Sequence, residues 1–104
     1  MRTRKYAVKQ DRNHAEIVSG LRKLGYAVLD LSSLGGGAPD LLVSGVRYTK
    51  IAVGELSFPD YWLVEIKTDK GTLNAKQKKW RETWTGPHPI TARSLEDLLR
   101  QIQA

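Results

Sequence analysis

The hydrophobic pattern near the start of the chain predicts an amphipathic helix over residues 13–24. Its apolar positions fall at the spacing of one helix face, and they are Ile17, Val18, Leu21 and Leu24. Asn13 is a suitable N-cap, and Gly25 suits the left-handed position that ends many helices. Residues 1–10 are basic and have no clear period, so we expect them to form a flexible arm or an edge segment.

The middle of the chain has the short apolar runs that are typical of β-strands. Glycine and proline separate these runs, which cover residues 26–31, 40–44, 48–53 and 61–67. The segment Phe58-Pro59-Asp60 is typical of a turn and leads into the last run. We therefore expect a meander, in which the second and last of these strands are candidates for neighbours.

The C-terminal third returns to helical spacing. Asn74 can cap a helix that runs to about Trp84, before Gly86 and Pro87. One face of it carries Leu73, Gln77, Trp80 and Trp84, and we expect both tryptophans to pack in the core instead of stacking on bases. A strand over residues 89–93 follows, and then a helix opened by Ser94 whose buried side is Leu95, Leu98, Leu99 and Ile102. The pattern predicts one α/β domain over residues 1–104, with a central mixed sheet flanked by helices.

Composition narrows the classes of function. A chain of 104 residues has room for one modest core, and 17 basic against 11 acidic residues give a net charge of +6. This charge favours a polyanionic partner, nucleic acid first. Cysteine is absent, which excludes disulfides, thiolate metal sites and thiol nucleophiles and fits a reducing cytoplasm. No apolar run approaches the ~20 residues of a membrane span, so we expect a cytoplasmic protein without a membrane partner.

The candidate chemistry lies at the ends of two predicted strands. Glu65 and Lys67 project from the same face of a strand, because successive side chains alternate. If that strand lies beside the one that follows Asp40, two carboxylates and an ammonium group converge. Carboxylate oxygens are the ligands that Mg²⁺ and Mn²⁺ prefer, and a lysine can polarise an attacking water. Asp60 forms a second Pro-Asp pair, but it is too close to Glu65 in sequence to come from an adjacent strand.

The loop before Asp40 contains three successive glycines, at residues 35–37. They match neither a dinucleotide-binding fingerprint nor a P-loop, so we expect no nucleotide cofactor. Two interpretations stay open: a flexible connector, or a loop against which a DNA backbone can lie.

An ordered set of motifs in this chain resembles a nuclease family. Its two central motifs are Gly37-Ala38-Pro39-Asp40 and Glu65-Ile66-Lys67, and the second is followed by Thr68 and a glycine-containing turn. The set also includes Glu16 on the first helix and Gln77 on the helix that follows the strands. It is similar to the PD-(D/E)xK nuclease motif, and more narrowly to the virus-type replication-repair nuclease (VRR-NUC) domain. The resemblance covers residues 13–99 and implies a restriction-endonuclease-like core.

The resemblance also implies a role for each residue. The ligands of Mg²⁺ or Mn²⁺ would be Asp40, Glu65 and the backbone carbonyl of Ile66, Lys67 would act on the water, and Glu16 and Gln77 would support the site. Spacing alone leaves other interpretations open for the last two. Asn13 and Glu16 have the spacing of a capping box, and Gln77 can be tolerated at the margin of an apolar stripe.

The stand-alone viral-type members of this family resemble Holliday-junction resolvases that act as homodimers. The resemblance therefore implies a DNA endonuclease that acts on four-way junctions or other branched DNA, and it fits a viral protein working in a host cell. Two alternatives remain: a monomeric flap or structure-specific nuclease, and a non-catalytic basic nucleic-acid-binding module. Residues 48–58 form either a dimer surface or part of the core. Basic side chains that either contact phosphates or are simply solvated are Lys70, Lys76, Lys78, Lys79 and Arg81.

Overall fold

Three helices and one four-stranded sheet make up the described part of the chain. The computed structural model describes residues 4–103, without the side chains of residues 4–9 and 47–49. In chain order the elements are α1 (Arg4–Lys23), β1 (Ala27–Asp30), β2 (Leu41–Ile51), β3 (Gly54–Ile66), α2 (Ala75–Thr83), β4 (Ile90–Ala92) and α3 (Leu95–Ile102). The predicted mixed α/β class is confirmed.

The sheet has the strand order β1-β2-β3-β4. β1 and β2 pair antiparallel, as do β2 and β3, whereas β3 and β4 pair in parallel. The sheet is therefore mixed, as the sequence predicted. The parallel pair exists because α2 carries the chain back across the sheet between β3 and β4, which a tight turn cannot do.

The core lies on one face of the sheet, under α1 and α3. Its buried side chains are Ile17 and Leu21 of α1, Leu41, Val43, Val64, Ile66 and Ala92 of the sheet, and Leu98 of α3. The other predicted apolar positions of α3, Leu95, Leu99 and Ile102, pack partly buried against this cluster. Each fully buried Leu, Ile or Val contributes about 1.5–3 kcal/mol, so this one face provides most of the hydrophobic stabilisation.

The first helix begins nine residues earlier than the sequence indicated. α1 starts at Arg4, so residues 4–10 of the expected arm are helical, while Met1–Thr3 lie outside the described residues. Asn13 is consequently not an N-cap, and the interpretation of Asn13 and Glu16 as a capping box is wrong. The Asn13 side chain instead donates to the carbonyls of Lys67 (3.1 Å) and Arg93 (3.2 Å), which joins the helix to the ends of β3 and β4.

β2 and β3 form one long hairpin where three shorter strands and a turn were expected. Residues 41–44 and 48–51 belong to a single strand, and the Phe58-Pro59-Asp60 segment is part of β3. Gly45 lies within the strand, and the Tyr26 ring packs so close that an added Cβ would come within 3.0 Å of it. Pro59 is tolerated because no strand pairs with the outer edge of β3 at this position. The missing N–H of the proline therefore removes no hydrogen bond of the sheet.

The far half of this hairpin extends beyond the rest of the sheet. β1 pairs with β2 only as far as Ser44, and β4 pairs with β3 only from Val64 onward. Large apolar side chains there are exposed, and they are Val46, Ile51, Val53, Leu56 and Phe58. The interpretation that residues 48–58 belong to the monomer core is therefore wrong for residues 50–58, while the side chains of Tyr48 and Thr49 lie outside the described ones.

The two tryptophans of α2 are not core residues, contrary to the prediction. None of the side chains of α2 is buried, and Trp84, its C-cap, is 39% exposed. The rings of Trp80 and Trp84 stack on each other, with centroids 5.0 Å apart and planes at 18°. The core is built on the other face of the sheet, so the apolar face of α2 is left only partly covered.

Candidate metal centre

Asp40 and Glu65 lie beside each other across the β2–β3 ladder. Leu41 pairs with Val64, so the residue before Leu41 falls next to the residue after Val64. The Asp40 N–H donates to the Val64 carbonyl at 2.9 Å, and Asp40 Oδ2 accepts the Ile66 N–H at 2.8 Å. These backbone bonds hold the Asp40 carboxylate against the end of β3. The predicted convergence of two carboxylates on adjacent strands is confirmed.

The Glu65 carboxyl group is buried and has an acid as its neighbour. The Glu65 residue as a whole is only 3% exposed to solvent. Burial raises the pKa of Glu65 to about 8, the hydrogen bond and the charge of Asp40 act in the same direction, and the cations Lys67 and Arg81 act against them. Two carboxyl groups this close cannot both ionise cheaply. The pair therefore holds a proton at neutral pH unless a cation takes its place.

Lys67 enters the same cavity from the end of β3. Its N–H donates to the Ala92 carbonyl at 2.9 Å and its carbonyl accepts from Asn13, which fixes the backbone at this point. Its side chain lines the cavity that also contains Asp40 and Glu65. The three residues that the sequence pattern brought together thus share one site.

Gln10 is a site residue that the sequence analysis missed. Its Nε2 donates to the Ile66 carbonyl at 2.6 Å, so the carbonyl that the resemblance assigns to the metal already accepts a hydrogen bond. Its Oε1 is buried without a hydrogen-bond partner, the one atom of this kind among the side chains of residues 10–46 and 50–103. A buried oxygen without a donor is costly, and beside two carboxyl groups it is suited to a cation or to a water held by one.

The cavity around these residues measures about 470 Å³, and it is polar. α1 contributes Gln10, Asp11 and His14, β1 and the loop after it contribute Asp30 and Ser32, and the remaining lining residues are Asp40, Glu65, Lys67, Asn74 and Gln77. His14 Nε2 lies 3.0 Å from Asp30 Oδ2, and the other Asp30 oxygen accepts from the backbone (2.8 Å) and hydroxyl (2.5 Å) of Ser32. These hydrogen bonds, those from Ser32 foremost, lower the pKa of Asp30.

The structure does not bring Glu16 into this cavity. Gln10 and His14 are four residues apart and share the face of α1 that is turned to the site. Glu16 is two residues beyond His14, and at about 100° per residue it projects from a different face. It lines a smaller cavity beside Thr68 and Arg93. The helix face that reaches the carboxylates therefore carries Gln10 where the resemblance pointed to Glu16.

Gln77 lies at the cavity and also caps a helix. Its backbone N–H donates to Asn74 Oδ1, and its Oε1 accepts the Asn74 N–H, both at 2.9 Å. The chain thus has a capping box, at the start of α2 and not at the start of the first helix. A polar residue interrupts the apolar face of α2 because it satisfies the first turn of the helix.

The predicted basic set divides into two groups. Lys70, Lys76, Lys78 and Lys79 are exposed, as phosphate contacts require. Arg81 is half-buried, and its Nη2 donates to Thr91 Oγ1 at 3.2 Å. Thr91 pairs with Glu65 across the β3–β4 ladder, which explains why the Arg81 charge acts on the Glu65 carboxyl group.

The oxygen donors of the site fit a hard divalent cation. Asp40, Glu65 and the unpartnered Gln10 Oε1 are carboxylate and amide oxygens, which suit Mg²⁺ or Mn²⁺. Within the described residues, no group of three or more His, Cys, Asp or Glu side chains could hold a metal ion. A cation here would thus need amide, backbone or water oxygens in addition, and Mg²⁺ commonly keeps several waters.

Comparison of the chain with protein-family models, with curated proteins and with solved structures finds no match. No helix within residues 4–103 is both long and apolar enough to cross a membrane.

Proposed function

We propose that this protein is a Mg²⁺- or Mn²⁺-dependent endonuclease that hydrolyses phosphodiester bonds in branched DNA. The observation that carries the proposal is the buried Glu65, with its raised pKa, next to Asp40 and with Lys67 in the same cavity. Strongly perturbed carboxyl groups that converge with a lysine in a polar cleft are typical of catalytic sites. The VRR-NUC resemblance and a restriction-endonuclease-like core belong to the same proposal.

In this proposal Asp40 and Glu65 hold the cation, and Gln10 Oε1 supplies an oxygen to it or to a water beside it. The cation would neutralise charge on the phosphate oxygens and lower the pKa of water. The Ile66 N–H keeps Asp40 Oδ2 in place, so the carboxylate needs little reorganisation. Glu65 must lose its proton before it binds the cation. The affinity for the cation should therefore increase as pH rises.

Lys67 has the position of an electrostatic partner for the phosphate. Its ammonium group can orient the attacking water and offset the negative charge that develops on a non-bridging phosphate oxygen. The hydrogen bonds of its backbone N–H and carbonyl fix the point from which the side chain enters the cavity. The exposed lysines of α2 are candidates for holding the neighbouring phosphates of the strand.

The four-way junction and the homodimer form the more specific part of the proposal. A four-way junction has approximate two-fold symmetry, and a C₂ dimer presents two equivalent sites to it. Each chain has one Asp40, Glu65 and Lys67 set, so paired cuts require two chains. The exposed apolar side chains of the β2–β3 hairpin support a second copy of this chain as the partner, because a two-stranded hairpin is only marginally stable alone in water.

The test is incubation of purified protein with labelled four-way junction, flap, nicked and linear duplex DNA, in Mg²⁺, Mn²⁺ or EDTA. We expect cleavage of the junction in either metal and none in EDTA. Asp40→Asn and Glu65→Gln should abolish cleavage while leaving the circular dichroism spectrum and DNA binding in EDTA near those of wild type. Wild-type turnover in either variant would contradict the metal site. Cleavage of flaps but not junctions would favour the monomeric flap nuclease, and binding without cleavage would favour the non-catalytic module.

A further inference from the structure

A second cavity lies next to the candidate metal centre, on the same face of the sheet. It measures about 360 Å³ and is predominantly apolar. Leu42 and Leu63 form its floor, and they pair across the β2–β3 ladder. Leu42 is two residues from Asp40, and Leu63 is two residues from Glu65, so both share the face of those carboxyl groups. Two residues along a strand span about 7 Å.

The walls of this cavity are aromatic rings. Trp84 lines it, and so does Tyr61, which is 62% exposed. The Trp84 ring is held in place, because it stacks on Trp80 and its Nε1 donates to the Pro87 carbonyl at 2.9 Å. A fixed and exposed indole is a ready stacking surface, since it needs little ordering when a flat ligand binds.

The charges around the cavity complement a polyanion. α2, which leads into Trp84, has four basic residues and one acidic residue among its nine. The side chains that line the cavity include no carboxylate. A flat, uncharged group that enters here and is attached to a phosphate backbone would have its phosphates near the basic helix and one of them near Asp40 and Glu65.

We infer that this apolar cavity binds one unstacked nucleobase of the DNA, beside the phosphate that lies at the metal centre. The inference rests on the proposed function and deepens it, because it specifies a substrate with an unpaired or readily unpaired base next to the cut. The centre of branched DNA supplies such bases more cheaply than an intact duplex, where unstacking costs a few kcal/mol. Stacking on an aromatic side chain tolerates every base, so the cavity selects DNA structure and not sequence.

The test compares two single-stranded probes of equal length, oligothymidylate and an abasic oligomer with the same phosphates, by fluorescence anisotropy in EDTA. Wild-type protein should bind oligothymidylate about tenfold or more tightly than the abasic probe, in line with the effect of aromatic stacking. Trp84→Ala should remove this preference and leave affinity for the abasic probe unchanged. Trp84→Phe should keep most of the preference, and Leu34→Ala, which changes an exposed leucine in the loop after β1, should keep all of it.

A second measurement locates the base directly. Photo-crosslinking with a 5-iodo-deoxyuridine oligomer, followed by mass spectrometry, should label Trp84 or Tyr61. Equal affinity of wild-type protein for the two probes, or crosslinks that fall only outside the cavity, would overturn the inference. A Trp84→Ala variant that loses self-association but keeps its base preference would also overturn it, since a second copy of the chain would then be the occupant.

The outcomes separate this inference from the proposed function. Because binding is measured in EDTA, a base preference that depends on Trp84 would support the cavity even in a protein that cleaves no DNA. Metal-dependent cleavage by a protein without any base preference would sustain the nuclease and reject the cavity.

Discussion

The carboxyl group of Asp40 lies beside that of Glu65 where two neighbouring strands end, and Glu65 is almost completely buried. The pair is set up to hold either a proton or a cation. This relationship gives the fold a pH dependence that can be measured without any substrate.

We expect the metal-free protein to lose stability as pH rises from about 4.5 to about 8. Folded Glu65 keeps its proton up to a pKa of about 8, whereas an unfolded glutamate releases it near 4.5. The folded state thus binds more protons across this interval, and its stability falls by at most ~1.4 kcal/mol per pH unit. Thermal melts in EDTA at pH 5.5, 7.0 and 8.5 measure the slope.

Glu65→Gln should flatten this slope, because the amide has no proton to lose, while Glu55→Gln, on the exposed hairpin, should leave it unchanged. Mg²⁺ should raise the melting temperature of wild-type protein more at pH 8.5 than at pH 5.5, since it competes with the proton. Identical slopes for wild type and Glu65→Gln would contradict a buried, protonated Glu65.

Lys67→Ala should lower turnover much more than DNA affinity. We expect a loss of about 10²-fold in the cleavage rate, as for removal of one electrostatic partner of a transition state. Lys70→Ala is the matched control, because Lys70 is exposed on the following turn and should weaken binding with little change in saturated turnover. Single-turnover cleavage and anisotropy titrations separate the two effects. Weak binding with normal turnover in Lys67→Ala would reassign this lysine to phosphate binding.

Gln77 can be tested against its capping partner. Asn74→Ala and Gln77→Ala each break the capping box, and each should cost about 1 kcal/mol in urea unfolding. If Gln77 also serves the metal centre, as the resemblance implies, Gln77→Ala should lower the cleavage rate more than Asn74→Ala does, although the two variants are equally stable. Cleavage by Gln77→Ala at the wild-type rate, at a temperature where both proteins are folded, would limit Gln77 to the cap.

The glycine loop before Asp40 gives a stability prediction. Gly37 has φ of +84°, and an added Cβ would overlap the Lys76 carbonyl at the start of α2. Gly36 has a similar φ of +67° but open space around it. Gly37→Ala should therefore destabilise the fold clearly more than Gly36→Ala, which has only the cost of a left-handed residue, about 1 kcal/mol. Urea unfolding of both variants checks this, and equal losses would mean that the loop does not pack on α2.

The sequence alone left two interpretations open for the glycine loop at residues 35–37, and it did not predict the contact of this loop with α2. The placement of Asp40, Glu65 and Lys67 at the ends of neighbouring strands was predictable, because alternation along a strand depends on local geometry. The start of α1 was not predictable. Asn13 is a residue type that often caps helices, and residues 4–12 are mostly good helix formers but have no apolar face. That error hid Gln10, whose place in the site depends on the helix reaching the end of β3.

The exposed hairpin leads to a last prediction, that the active unit is a homodimer. Leu56 and Phe58 project from the same face of β3 as Val64 of the core, but they lie beyond the cover of α1 and α3 and are 44% and 40% exposed. Phe58→Glu and Leu56→Glu should shift wild-type dimers to monomers in sedimentation velocity at micromolar concentration. Leu34→Glu, at a leucine that is 68% exposed in a loop, should leave them dimeric. On a cruciform plasmid the dimer should linearise the DNA within one binding event, and the monomeric variants should only nick it, because each carries one catalytic set. A wild-type protein that sediments as a monomer and only nicks the cruciform would reject the resolvase and leave the flap nuclease as the better proposal.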